Sequence, residues 1–214
     1  MNDWKNFDGF EVVFLLNLVP ALRVKDVAIF DLLEQEFHYG EFIFFSQLAA
    51  HLGRIVNISA KDAKEVGLLS ELIYLSSKIH FFLAEKPEER AQCSALQMPV
   101  LIGDLLYSRF VVFLSEFGKV AYLPIYLEYL RQFNQQRIDE LQKQQDTAHT
   151  EYFVRLLSQK TAAVVASIAG GNGELQNTLE TAAENFLQDQ WALLYGKRVT
   201  SLADLEEQML AAVI

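Results

Sequence analysis

A chain of 214 residues is long enough to bury one substantial core and short for two. Hydrophobic residues make up 51% of it, which excludes disorder as a description of the whole. Four prolines and ten glycines are too few for the frequent turns of a sandwich or barrel. With 28 acidic and 18 basic residues the formal charge is −10, which argues against a nucleic-acid binder, and the single cysteine, Cys93, excludes an intrachain disulfide.

In chain order, nearly every segment has helical period. The start, Met-Asn-Asp-Trp-Lys-Asn-Phe-Asp, lacks the positive charge of an export signal. Phe10 to Val19 and Lys25 to Phe37 read as two short helices parted by Pro20. Glu41 to Leu52 reads as a third, bounded by Gly40 and Gly53. Ser59 is placed to cap a long helix that begins near Lys61 and runs to Glu85, before Pro87 and its charged neighbours. Within it Leu68, Leu72, Leu75, Ile79 and Phe82 recur at spacings of three and four, which predicts one buried stripe. Tyr74, Lys78, Phe81 and Glu85 share another face.

Ser94 to Phe117 predicts a strongly apolar helix stopped by Gly118. Its longest apolar run, Pro99 to Leu114, holds Asp104 and Arg109 and is too short to span a bilayer, so the chain reads as soluble and, with one cysteine, cytoplasmic. Lys119 to about Asp146 begins apolar and ends rich in Gln, Arg and Glu. A helix from Thr150 to Ile168 stops at Gly170, Gly171 and Gly173, and helices over Leu175 to Tyr195 and Ser201 to about Ala212 follow. The expected fold is all-α, one domain over residues 1–214, with eight or nine helices.

Chemistry is sparse. His38, His51, His80 and His149 form no metal-ligand pair, and Cys93 has no CxxC partner. Gly170-Gly171-Asn172-Gly173 follows a helix instead of a strand and reads as a turn. The acid pairs Asp62/Glu65, Asp31/Glu34 and Glu180/Glu184 fall in polar stretches and read as solvated faces, while Glu71, Glu85, Asp104, Glu116 and Asp189 stand singly beside apolar surface. No catalytic residue and no metal ligand is expected on this chain.

The order of three elements carries a resemblance. Leu68-Leu69-Ser70-Glu71-Leu72-Ile73-Tyr74-Leu75-Ser76-Ser77-Lys78-Ile79-His80 resembles the helix of trans-prenyl diphosphate synthases that reaches Ile/Val-His and then Asp-Asp-x-x-Asp. Val100-Leu101-Ile102-Gly103-Asp104-Leu105-Leu106-Tyr107-Ser108 is similar to the family's Val-Leu-Ala-Gly-Asp-Tyr-Leu-Leu-Ser segment, and Lys160-Thr161-Ala162 to its Lys-Thr-Ala helix. The resemblance covers roughly residues 40 to 195 and implies a helical bundle of the trans-isoprenyl diphosphate synthase type. The chain ends at Ile214, which by that resemblance is short of the family's closing helices.

The departures define the expected role. Where the family holds magnesium and the allylic diphosphate with Asp-Asp-x-x-Asp, this chain has Phe81-Phe82-Leu83-Ala84-Glu85, so Phe81, Phe82 and Glu85 make a degenerate first motif. Without the metal, the pull that makes the diphosphate leave is lost. Phe186 to Tyr195 offers no pair of acids for the second motif in any register, and Gly40-Glu41-Phe42-Ile43-Phe44-Phe45 lacks the basic residues of the family's homoallylic site. Lys160 is the one surviving phosphate ligand of the pattern, or a solvated helix lysine.

The resemblance therefore implies a non-catalytic small subunit of a hetero-oligomeric hexaprenyl- or heptaprenyl-type synthase, serving quinone (menaquinone) side-chain synthesis. It would stabilise a catalytic partner that carries the magnesium and help set product length. This chain would need no cofactor of its own. Family dimers pack through the Gly-Asp helix and the one after it, which makes Asp104, Phe110, Phe113, Phe117, Tyr122, Tyr126 and Tyr129 candidate interface residues, and a homodimer an expected state of the chain alone. The alternative is an apolar-ligand protein that holds an isoprenoid or other lipid in a vestigial prenyl cavity.

Overall fold

The computed structural model describes residues 39–85, 93–143 and 149–194. Six α-helices carry them: α1 (Phe44–Val56), α2 (Ala60–Glu85), α3 (Cys93–Glu116), α4 (Leu123–Lys143), α5 (His149–Ile168) and α6 (Gly173–Leu194). One-turn 3-10 helices, Tyr39–Phe42 and Val120–Tyr122, precede α1 and α4. No strand occurs among the described residues. The helices expected over residues 10–19, 25–37 and 201–212 lie outside them.

Local signals place most ends. The Ser59 hydroxyl accepts the Asp62 N–H at 3.0 Å and so caps α2. Gly118 adopts φ +67°, and the Lys119 N–H bonds back to the Leu114 carbonyl at 2.9 Å, which closes α3. The glycine-rich stretch is a turn: the Gly171 N–H reaches the Ala166 carbonyl, and the Asn172 side chain then accepts the Leu175 N–H of α6. Three boundaries differ from expectation. α1 begins at Phe44 and not at Glu41, because Tyr39–Phe42 form a 3-10 turn. α1 runs through Gly53 to Val56 and ends at Asn57, which takes the left-handed conformation (φ 57°, ψ 37°). Gly53 instead marks a close contact, where a Cβ would sit 3.1 Å from the Ala63 Cβ at the start of α2. α4 begins only at Leu123, because Val120–Tyr122 tighten into a 3-10 turn.

The larger difference concerns α2. It has no single buried stripe: every residue from Glu65 to Ile79 is buried. The cause is its central place, with α1, α3 and α5 packed around it. A helix enclosed on all sides must be apolar all round or pair its polar groups, and α2 does both. Leu69, Leu72 and Ile73 are fully enclosed, while Ser70, Glu71, Ser76, Ser77 and Lys78 each have protein partners. α5 in turn packs on α1, α4 and α6.

The Asp62/Glu65 pair is not a solvated face. Glu65 is buried, and the buried Lys119 ammonium reaches Asp62 at 2.7 Å and Glu65 at 3.0 Å, tying the α3–α4 turn to the first turns of α2. Burial alone raises the Asp62 pKa, but hydrogen bonds from Lys119 and Ser59 outweigh it and hold the carboxyl below its usual value. Burial likewise lowers Lys119, and its two carboxylate partners outweigh that and raise it. A depressed acid contributes stability above its unfolded value of about 4, lost as pH falls through the lower folded value. A raised lysine contributes below its unfolded value and loses that contribution only in strong alkali. Acid titration followed by circular dichroism should therefore show stability falling below about pH 4. In Lys119→Met that acid limb is expected to be shallower.

Candidate functional site

The seam between α2 and its neighbours gathers the residues that the sequence singled out. His80, near the end of α2, lies beside α3 with Nε2 3.2 Å from an Asp104 carboxylate oxygen. The approach depends on Gly103, since a Cβ there would fall 2.5 Å from His80 Nε2. One turn earlier the buried Ser76 hydroxyl donates to the Gly103 carbonyl at 2.9 Å. So the Ile-His and Gly-Asp elements, which are 24 residues apart in sequence, form one contact.

The Lys-Thr-Ala element meets α2 two to three turns away. Thr161 is fully buried and donates to its own helix at Leu157 (2.8 Å) while its hydroxyl lies 2.9 Å from Ser70 Oγ. Ser70 also faces the Tyr126 hydroxyl of α4 at 3.3 Å. Burial pushes the phenols of Tyr126 and Tyr129 up, against small opposing effects of Ser70 and Ser77, so both remain neutral. The arrangement is a line of uncharged hydroxyls inside an aromatic and aliphatic core. It positions helices and offers no charged group for acid–base or nucleophilic work.

The remaining candidates divide. Phe81, Phe82 and Glu85 fall on the last turns of α2, and their side chains lie outside the described residues. Lys160 is half-buried on α5 and faces α4, where it adds to the field on Glu128. Hydrogen bonds from Arg131 and then Gln132 hold the Glu128 carboxyl at about 2.

Of the candidate interface residues, Phe110, Tyr126 and Tyr129 are enclosed in this chain's own core and cannot meet a partner. Phe110 and Tyr126 pack edge to face, with ring centres 5.2 Å apart. Phe113, Phe117 and Tyr122 are half-buried, and Asp104 is exposed. Exposed aliphatic side chains on α3, α4 and the turn between them are Leu101, Val111, Val112, Val120, Leu127 and Ile138, set among exposed polar residues such as Arg109 and Glu116. His51 belongs elsewhere, 5.0 Å from the Phe186 ring on α6, where burial first and Arg54 second lower its pKa.

The sequence missed the most buried ion pair among the described residues. Glu41 is fully enclosed and takes the Lys78 ammonium and the Tyr74 hydroxyl. The signal was present: Lys78 stands alone among apolar residues and serines on α2, and such a cation needs a counter-charge. Glu41 stands as oddly among Tyr39, Phe42, Phe44 and Phe45.

No protein-family model, curated protein or solved structure matches this chain. Among the described residues no helix is long and apolar enough to cross a membrane, and no three His, Cys, Asp or Glu side chains group to hold a metal ion.

Proposed function

We propose that this chain is the non-catalytic small subunit of a hetero-oligomeric trans-polyprenyl diphosphate synthase. The observation that supports the reading most is the packing of the three ordered elements on one helix. His80 meets Asp104 over Gly103, and Thr161 meets Ser70, so residues that resemble the family's motifs serve here as helix-to-helix contacts. The homoallylic segment fits the same reading. Glu41 stands where a diphosphate site needs a cation, and it neutralises the Lys78 ammonium. Lys160 faces Glu128. The partner would hold magnesium and carry out condensation, and the aliphatic surface of α3 and α4 would be its docking face.

The test is a tagged pull-down from source cells, followed by an assay of farnesyl diphosphate with isopentenyl diphosphate and magnesium. A co-purifying synthase with Asp-rich motifs, active only in the complex, is the expected result. Recovery of this chain alone, inactive and loaded with lipid, would instead favour the apolar-ligand protein. Because Leu101 and Val112 are exposed, Leu101→Glu with Val112→Glu should leave helicity and melting temperature almost unchanged. The same pair should abolish recovery of the partner.

A further inference from the structure

Among the described helices α3 packs chiefly on α2. Its buried residues Ile102, Leu106, Phe110 and Leu114 recur at every fourth position and face inward. The opposite side carries a pattern of its own. Leu101, Leu105, Ser108, Val112 and Ser115 are spaced by four, three, four and three, which is the seam of a heptad, and all are exposed except the half-buried Leu105. Such a seam packs against another helix, and its two serines are small enough to admit the larger side chains of that helix.

The charges beside the seam indicate which helix it fits. Arg109 and Glu116 are both exposed and stand seven residues apart, so they share one heptad position on one flank, too distant along the helix to pair with each other. On the other flank the corresponding positions hold Asp104, which His80 already meets at 3.2 Å, and the exposed Val111. When two copies of a helix pack antiparallel about a two-fold axis, each flank meets the same flank of the other copy. The contact is then self-complementary only where that flank carries both signs. With the axis near Val112, Arg109 of each copy comes opposite Glu116 of the other, and Val112 closes on the small Ser115. We infer that the outward seam of α3 is a docking surface for a second copy of this chain, an antiparallel α3 pair clasped by two Arg109–Glu116 bridges. A single helix pair lies at the small end of protein interfaces, so the dimer is weak and reversible.

The inference concerns the chain alone and does not rest on the partner reading, which the pull-down tests separately. Sedimentation of the purified full chain over rising concentration is expected to show a monomer–dimer equilibrium. Arg109→Glu or Glu116→Arg sets like charges opposite each other and should weaken association by about tenfold or more, with the circular dichroism unchanged. Mixing the two variants in equal amounts should restore the dimer, because one copy then carries two acids on the flank and the other two bases. The double swap in one chain, Arg109→Glu with Glu116→Arg, should restore it as well. Neither rescue is open to a variant that is merely misfolded. A chain that stays monomeric at every concentration overturns the proposal. So does a dimer indifferent to both swaps, or a loss that neither mixing nor the double swap repairs. A loss with Arg109→Glu and none with Glu116→Arg would assign the charge to Asp104 in a parallel pair and overturn the antiparallel seam.

Discussion

Lys78→Met is expected to lower the unfolding free energy by about 3–5 kcal/mol, the cost of stranding a buried charge. The carboxylate affected is Glu41, which is fully enclosed and loses the Lys78 ammonium. For a chain of this size that corresponds to a fall in melting temperature on the order of 10 °C. The companion variant decides the cause. Glu41→Gln with Lys78→Met removes both charges while keeping similar volumes, and replacing a buried pair by neutral groups is often close to neutral. Recovery of most of the loss in the double variant, measured by urea unfolding, would show that the penalty was electrostatic. A loss equal to that of the single variant would mean that Lys78 acts through packing of its stem.

Gly67→Ala should be the second large effect, although alanine is the better helix former by up to about 1 kcal/mol. Gly67 lies where α2 crosses the first turn of α1. An alanine Cβ would stand 2.7 Å from the Ser46 Cα and 3.3 Å from the Phe45 carbonyl oxygen. Both are backbone atoms, so no side-chain rotation relieves the clash and the helices must part. The expected net loss is about 2–3 kcal/mol, within the range for overpacked cores. Gly173→Ala at the first position of α6 is the matched control, because nothing lies within 4 Å of its added Cβ. Its unfolding midpoint should stay level or rise slightly.

Helix positions were legible because their signals are local. Ser59, Gly118 and the turn at Gly170 act through bonds that span five residues or fewer, and each residue type states its own role. Burial was less legible because periodicity describes a helix with one dry side. α2 is dry all round: the serines and the lysine that break its apolar pattern would be exposed in a surface helix but are paired in a central one. Long-range partners decide which. Ser70 meets Thr161 across 91 residues and Lys119 meets Asp62 across 57, distances over which no spacing rule operates. The aromatic residues of α3 and α4 misled for a related reason. Phe110, Tyr126 and Tyr129 look surplus to one core only until α2 is known to be central, with the Tyr126 hydroxyl facing Ser70 and Phe110 packed on the Tyr126 ring.

The enclosure of α2 also bears on how the molecule comes apart. Its wall is assembled from α1 before it in the chain and from α3 and α5 after it, the last beginning more than sixty residues beyond the end of α2. A polypeptide released after α4 would carry Leu69, Leu72 and Ile73 with one side of their wall missing. Protease cuts within α2 are therefore expected to be rare until the whole bundle opens, and then to come in quick succession.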